Sequence, residues 1–101
     1  MKLSKNIILA KLNKNREIIR SYGVKKLVLF GSFSDGNPGN TSDIDFLVEF
    51  QKNRGFFKDY VGLKDFLEDL FKRDVDLVKP KLIRDELRQI ILDGKKYEAE
   101  I

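Results

Sequence analysis

Asp43 and Asp45 stand two residues apart, and Asp74 and Asp76 repeat that spacing later in the chain. In an extended strand, residues two apart project from one face, so each pair presents its carboxylates together while Ile44, Phe46, Val75 and Leu77 turn inward. If the two strands are neighbours, three or four carboxylates converge. Each like-charged pair at ~4 Å costs about 1 kcal/mol in water and several times more when half buried. The strands themselves place no Lys or Arg between these acids. A divalent cation answers both the charge and the geometry, because Mg²⁺ is held by carboxylates together with substrate phosphates. Taken singly, Asp43 reads as a cap and Asp74 and Asp76 as surface acids in ion pairs.

Gly31-Ser32 follows the apolar run Lys26–Phe30. A glycine at a strand end lets backbone approach a ligand closely, and successive amides there can cradle phosphate oxygens. Ser32 adds a hydroxyl. Alone, the pair is also an ordinary turn; no Gly-Lys-Ser/Thr and no G-x-G-x-x-G accompanies it.

The chain has no cysteine and no histidine. That excludes disulfides, thiolate zinc sites and Cys or His nucleophiles. Chemistry must run on carboxylates, hydroxyls, amines and guanidinium groups, and oxygen ligands select a hard cation such as Mg²⁺ or Mn²⁺.

The elements that must position these residues read as follows. Ser4 to Tyr22 is an amphipathic helix with Ile7, Ile8, Leu12, Ile18 and Ile19 at helical spacing, closed by Gly23. Lys26–Phe30 is a buried strand. Asp35 to Ser42 is a loop dense in turn-formers. Ser42 to Phe50 is an alternating strand, and Phe56 to Lys72 a helix with a stripe of Tyr60, Leu63, Phe66, Leu67, Leu70 and Phe71. Asp74 to Val78 is a third strand, and Pro80 opens a last helix to about Asp93. The ending KKYEAEI fits either a fraying helix or an edge strand. The order α-β-β-α-β-α makes an α/β (α+β) fold: a small mixed sheet with helices packed against it. With 101 residues, residues 1–101 form a single domain, and a large acceptor needs a partner protein or a homo-oligomer to help hold it.

The net charge of +4 is uneven: residues 1–26 carry +7 and the rest −3. The basic segment suits polyphosphate, nucleic acid or an acidic partner, or is a solvated helix face. A nucleic-acid role finds no recognised motif and leaves the aspartates unexplained. The apolar run near the amino terminus, Ile7 to Ala10, is too short for a signal segment, and nothing approaches membrane-spanning length. The absence of Cys fits a cytoplasmic protein.

Gly31-Ser32, ten residues, then Asp43-Ile44-Asp45 resembles the nucleotidyltransferase superfamily that includes DNA polymerase beta and kanamycin nucleotidyltransferase. The passages LVLFGS, SDIDFLVEF and VDLVKP look most like the minimal nucleotidyltransferases (MNT). The resemblance implies a nucleotidyltransferase-like fold, with Gly31 and Ser32 on the β- and γ-phosphates of ATP or another nucleoside triphosphate. It implies Asp43 and Asp45 on one or two Mg²⁺ ions, and Asp76 on the metal nearest the acceptor, helping to deprotonate its hydroxyl. Minimal members often carry arginines just after Gly-Ser, where this chain has Phe33 and Asp35. The family also pairs with helical HEPN-domain proteins in toxin–antitoxin systems, which implies transfer of AMP to a tyrosine of the partner. A chain without the cations at 33 and 35 could instead be a non-catalytic antitoxin that inhibits by binding alone.

Overall fold

The computed structural model describes residues 3–31, 33, 43–79 and 96–101. The predicted last helix, the predicted Asp35–Ser42 loop and Ser32 lie outside those residues.

The first helical segment is two helices, not one: α1 (Lys5–Lys14) and α2 (Arg16–Ser21). Ser4 accepts the Ile7 N–H as the N-cap of α1. The break falls at Asn15, whose side-chain amide donates to the Lys11 carbonyl at 2.8 Å. A short amide side chain that competes for backbone partners favours such an interruption. The break redirects the apolar stripe: Ile8, Leu12 and Ile19 are buried, whereas Ile18, expected in the core, is 46% exposed.

Gly23 takes the left-handed turn (φ +82°) that a residue with Cβ resists. Strand β1 (Val24–Phe30) follows and starts two residues earlier than its apolar run, because an irregularity between Val24 and Lys26 lets Val24 pair with Phe50. Strand β2 is Ile44–Phe50, α3 is Phe57–Phe71, β3 is Val75–Val78 and β4 is Tyr97–Glu98. The ambiguous carboxyl end is therefore an edge strand.

The sheet order is β3-β2-β1-β4. β2 runs antiparallel to β1 and parallel to β3, and β4 is antiparallel to β1. A parallel β2–β3 pair requires a crossover, and α3 is that crossover. Its residues Leu63, Leu67 and Phe71, with Ile8, Leu12 and Ile19, cover Leu27, Leu29, Ile44, Phe46, Val48, Val75 and Leu77 on one sheet face. The Tyr60 hydroxyl donates to the Leu77 carbonyl at 2.6 Å and ties α3 to β3. Core residues alternate with Asp45, Leu47, Glu49 and Asp76, which lie on the other, more open face. Among the described residues no helix is long and apolar enough to cross a membrane.

Candidate active site

The carboxyl end of β1 and the amino ends of β2 and β3 meet at one end of the sheet. Asp45 is level with Phe30 of β1 on one side and with Asp76 of β3 on the other. One residue outward, the Ile44 N–H donates to the Asp74 carbonyl at 3.1 Å, setting Asp74 beside the start of β2. The Glu68 carboxylate accepts the Val75 N–H at 3.0 Å and steadies the start of β3 from α3. Parallel pairing and strand alternation thus bring Asp45 and Asp76 together on the open face, as their spacing predicts.

Gly31 ends β1 at φ +81°. A Cβ there would lie 3.0 Å from the Asp45 Cγ and collide with its Oδ2. The glycine is required by this carboxylate as well as by its backbone turn. That contact had no signal in the sequence, where the two residues are fourteen positions apart.

Burial raises the Asp45 carboxyl pKa from 3.8 to about 6, with the charges of Asp76 and Asp43 adding to the effect. Burial and the two neighbouring acids are the causes of that shift, and no cation is among them. Nor are three acidic groups drawn into a closed cation cage among the described residues. The arrangement is an open one: Asp45 and Asp76 side by side, with exposed Asp43 at the outer end of β2 and exposed Asp74 at the outer end of β3.

The donor set fits a hard divalent cation. It consists of oxygens alone, and a half-buried acid surrounded by acids is stabilised in its charged form by a nearby dication. Asp43, Asp45 and Asp76 are the residues that could hold it.

Phe33 departs from the expectation that it merely stands in for a cation. It is buried in the core, and the guanidinium carbon of Arg73 sits 5.1 Å from its ring centre. Arg73 was not singled out in the sequence, because nothing local to the Lys72-Arg73 turn signals a contact forty residues away.

An oxygen-only acidic patch beside a glycine turn, on a helix-covered mixed sheet, suits the transfer of phosphate-linked groups. A family model described as a nucleotidyltransferase domain matches residues 12–97, and the chain belongs to that family. A Methanocaldococcus jannaschii protein provisionally described as a protein adenylyltransferase is 39% identical over 74 residues, covering 71% of this chain and 74% of the relative. The protein adenylyltransferase MntA of Thermococcus cleftensis is 30% identical over 82 residues, covering 81% and 82%. Among solved structures, a toxin–antitoxin protein with AMP-PNP aligns at a TM-score of 0.68 and 26% identity, over 87% of this chain and 71% of that one. A complex of a tri-AMPylated Shewanella oneidensis HEPN toxin with its MNT antitoxin aligns at 0.63 and 22% identity, over 92% and 71%, a likeness of fold. The chain is an enzyme of the nucleotidyltransferase class, similar to protein adenylyltransferases.

Proposed function

We propose that this chain transfers AMP from ATP to a tyrosine hydroxyl of a helical HEPN-domain partner and acts as that partner's antitoxin. The observation that carries the reading is Asp45, pushed up to about 6 by burial and by Asp76 and Asp43, on the strand beside Gly31. Such a cluster is unfavourable unless it meets positive charge during its working cycle.

In this reading Asp43, Asp45 and Asp76 hold one or two Mg²⁺ ions, which when bound supply charge neutralisation at the reacting phosphate. Gly31 and Ser32 offer backbone and hydroxyl donors to the β- and γ-phosphates. Asp76 helps to take the tyrosine proton. The phenolic oxygen bonds to the α-phosphorus as the bond from that phosphorus to the pyrophosphate oxygen breaks, so AMP is transferred and pyrophosphate leaves. Positioning and electrostatics are the main requirements of such a step.

A protein acceptor also fits the surface. Phe56 and Phe57 are 71% and 84% exposed, beside a groove lined by Tyr60, Leu77, Val78 and Lys79. Adjacent exposed aromatics of this kind are characteristic of protein contacts.

The test is incubation with the HEPN partner and ATP labelled in the α-phosphate or, separately, in the γ-phosphate. The reading predicts α-label on the partner, none from γ, and none with EDTA or with Asp43→Asn. Inhibition of the partner without any label would instead support action by binding alone, a reading favoured by the absence of cations at Phe33 and Asp35.

A further inference from the structure

Asp76 is the carboxylate that the transfer reading sets beside the acceptor, and it stands on a short edge strand. The sheet order β3-β2-β1-β4 puts β3 at one edge, and β3 is four residues long. Its inner side pairs with β2, beginning where the Ile44 N–H donates to the Asp74 carbonyl at 3.1 Å. Neighbouring residues of a strand turn their backbone groups to opposite sides, so Val75 and Leu77 turn theirs outward. A short strand with open outer groups is the part of a sheet most ready to fray.

Two side chains of α3 close that outer side. The Glu68 carboxylate accepts the Val75 N–H at 3.0 Å, and the Tyr60 hydroxyl donates to the Leu77 carbonyl at 2.6 Å. These two bonds fall on the residues immediately before and after Asp76. The helix runs opposite to β3, so its later residue meets the earlier strand position. It is itself firmly seated, because Leu63 and Leu67, between Tyr60 and Glu68 in the chain, are fully buried. Packing alone would be met by apolar side chains at 60 and 68 as well. An acceptor opposite an outward N–H and a donor opposite an outward carbonyl are what an unpaired strand edge requires.

We propose that Tyr60 and Glu68 are positioning residues of the transfer reaction, which hold Asp76 level with Asp45 from the outer edge of β3. The register with β2 fixes Asp76 from one side, and the two α3 bonds fix it from the other. A carboxylate that must meet an acceptor hydroxyl tolerates little displacement: about 1 Å of misplacement costs up to about a hundredfold in rate. Each residue acts through the backbone that carries Asp76. The inference rests on the transfer reading and adds to it two residues from outside the Gly-Ser and Asp-x-Asp segments.

The experiment measures transfer of label from α-labelled ATP to the HEPN partner by the unaltered chain, Y60F, E68A and E68Q. D59N is the control, since it loosens the start of α3 away from β3. Thermal melts, and amide hydrogen exchange of the chain free of metal and nucleotide, are read alongside. Y60F and E68A should each lower kcat about tenfold or more while KM for ATP with Mg²⁺ stays within about twofold. E68Q keeps an acceptor oxygen without the charge, so its kcat should return to within about threefold of the unaltered chain. Exchange of the Val75 amide should quicken in E68A and stay slow in E68Q. D59N should lower the melting midpoint and leave kcat within about twofold.

Unchanged kcat in Y60F and E68A while both are folded, or equal losses of kcat and of ATP affinity, would overturn the assignment and leave the transfer reading standing. So would a loss in D59N as large as theirs, or an E68Q no better than E68A. Absence of label transfer by the unaltered chain would overturn the transfer reading itself, and this inference with it.

Discussion

Asp59 and Asp45 are both aspartates at the edge of a secondary-structure element, and their surroundings differ in almost every respect. Asp59, in the first turn of α3, accepts two hydrogen bonds from Arg54, at 2.8 and 2.9 Å, and one from the Gly55 N–H at 2.9 Å. These bonds hold its carboxyl pKa down at about 2. The same arginine reaches the Ser21 carbonyl at 2.9 Å, so the acid helps fasten α2 to the start of α3. Asp45 faces Asp76 and Gly31, has no cation of the described chain beside it, and is pushed up to about 6. A carboxylate that holds the fold together is matched within the chain. One left among other carboxylates is the physical basis of the cation-dependent nucleotide site proposed at this end of the sheet.

The contrast can be broken most severely at Asp43. Asp43→Asn should lower AMP transfer below about a hundredth, as loss of an electrostatic partner in the transition state does, with an unchanged melt; transfer near normal would remove the site from Asp43. Gly31→Ala comes next. The added Cβ meets the Asp45 carboxylate at a positive φ, so about 1–3 kcal/mol of stability should be lost, together with transfer, as read by urea unfolding and product assay.

Asp45→Asn should separate function from stability. Between pH 4 and 6 the folded chain holds a proton on Asp45 that the unfolded chain has released, so stability falls as pH rises through that window. Relief of this penalty should make the Asn variant more stable at pH 8 by about 1 kcal/mol. This is less than the full shift implies, because the group is half exposed to solvent screening. Transfer should be lost all the same. Mg²⁺ binding to the unaltered chain should weaken as pH falls through about 6, when Asp45 takes up its proton.

The smallest effect is expected at Asp59, where the sign is opposite. Its folded pKa is depressed, so its contribution is present above pH 4 and lost as pH falls toward 2. Asp59→Asn should lower the melting midpoint at pH 7 and leave ATP affinity within about twofold. A large loss of ATP binding there would erase the distinction between the two regions.

The legibility of this molecule in its sequence follows the same division. Alternation placed Ile44, Phe46 and Val48 in the core and Asp45 on the other face, because a two-residue period is local information. Gly23 and the α3 stripe were readable for the same reason. Asn15 was not, since its side chain competes with a backbone hydrogen bond inside a run that otherwise keeps helical spacing. Tyr97–Glu98 was ambiguous because two residues form a strand only when β1 offers an edge. At the candidate site, the meeting of Asp45 and Asp76 on one face was legible, whereas Gly31 against Asp45 and Arg73 on Phe33 are contacts made by tertiary folding alone.

The most direct test is calorimetric titration of ATP into the purified chain at pH 7.5, first with Mg²⁺, then with EDTA, with Asp43→Asn alongside. The account predicts binding that requires the metal and disappears in the variant. Binding of equal strength in EDTA, or in Asp43→Asn, would contradict it.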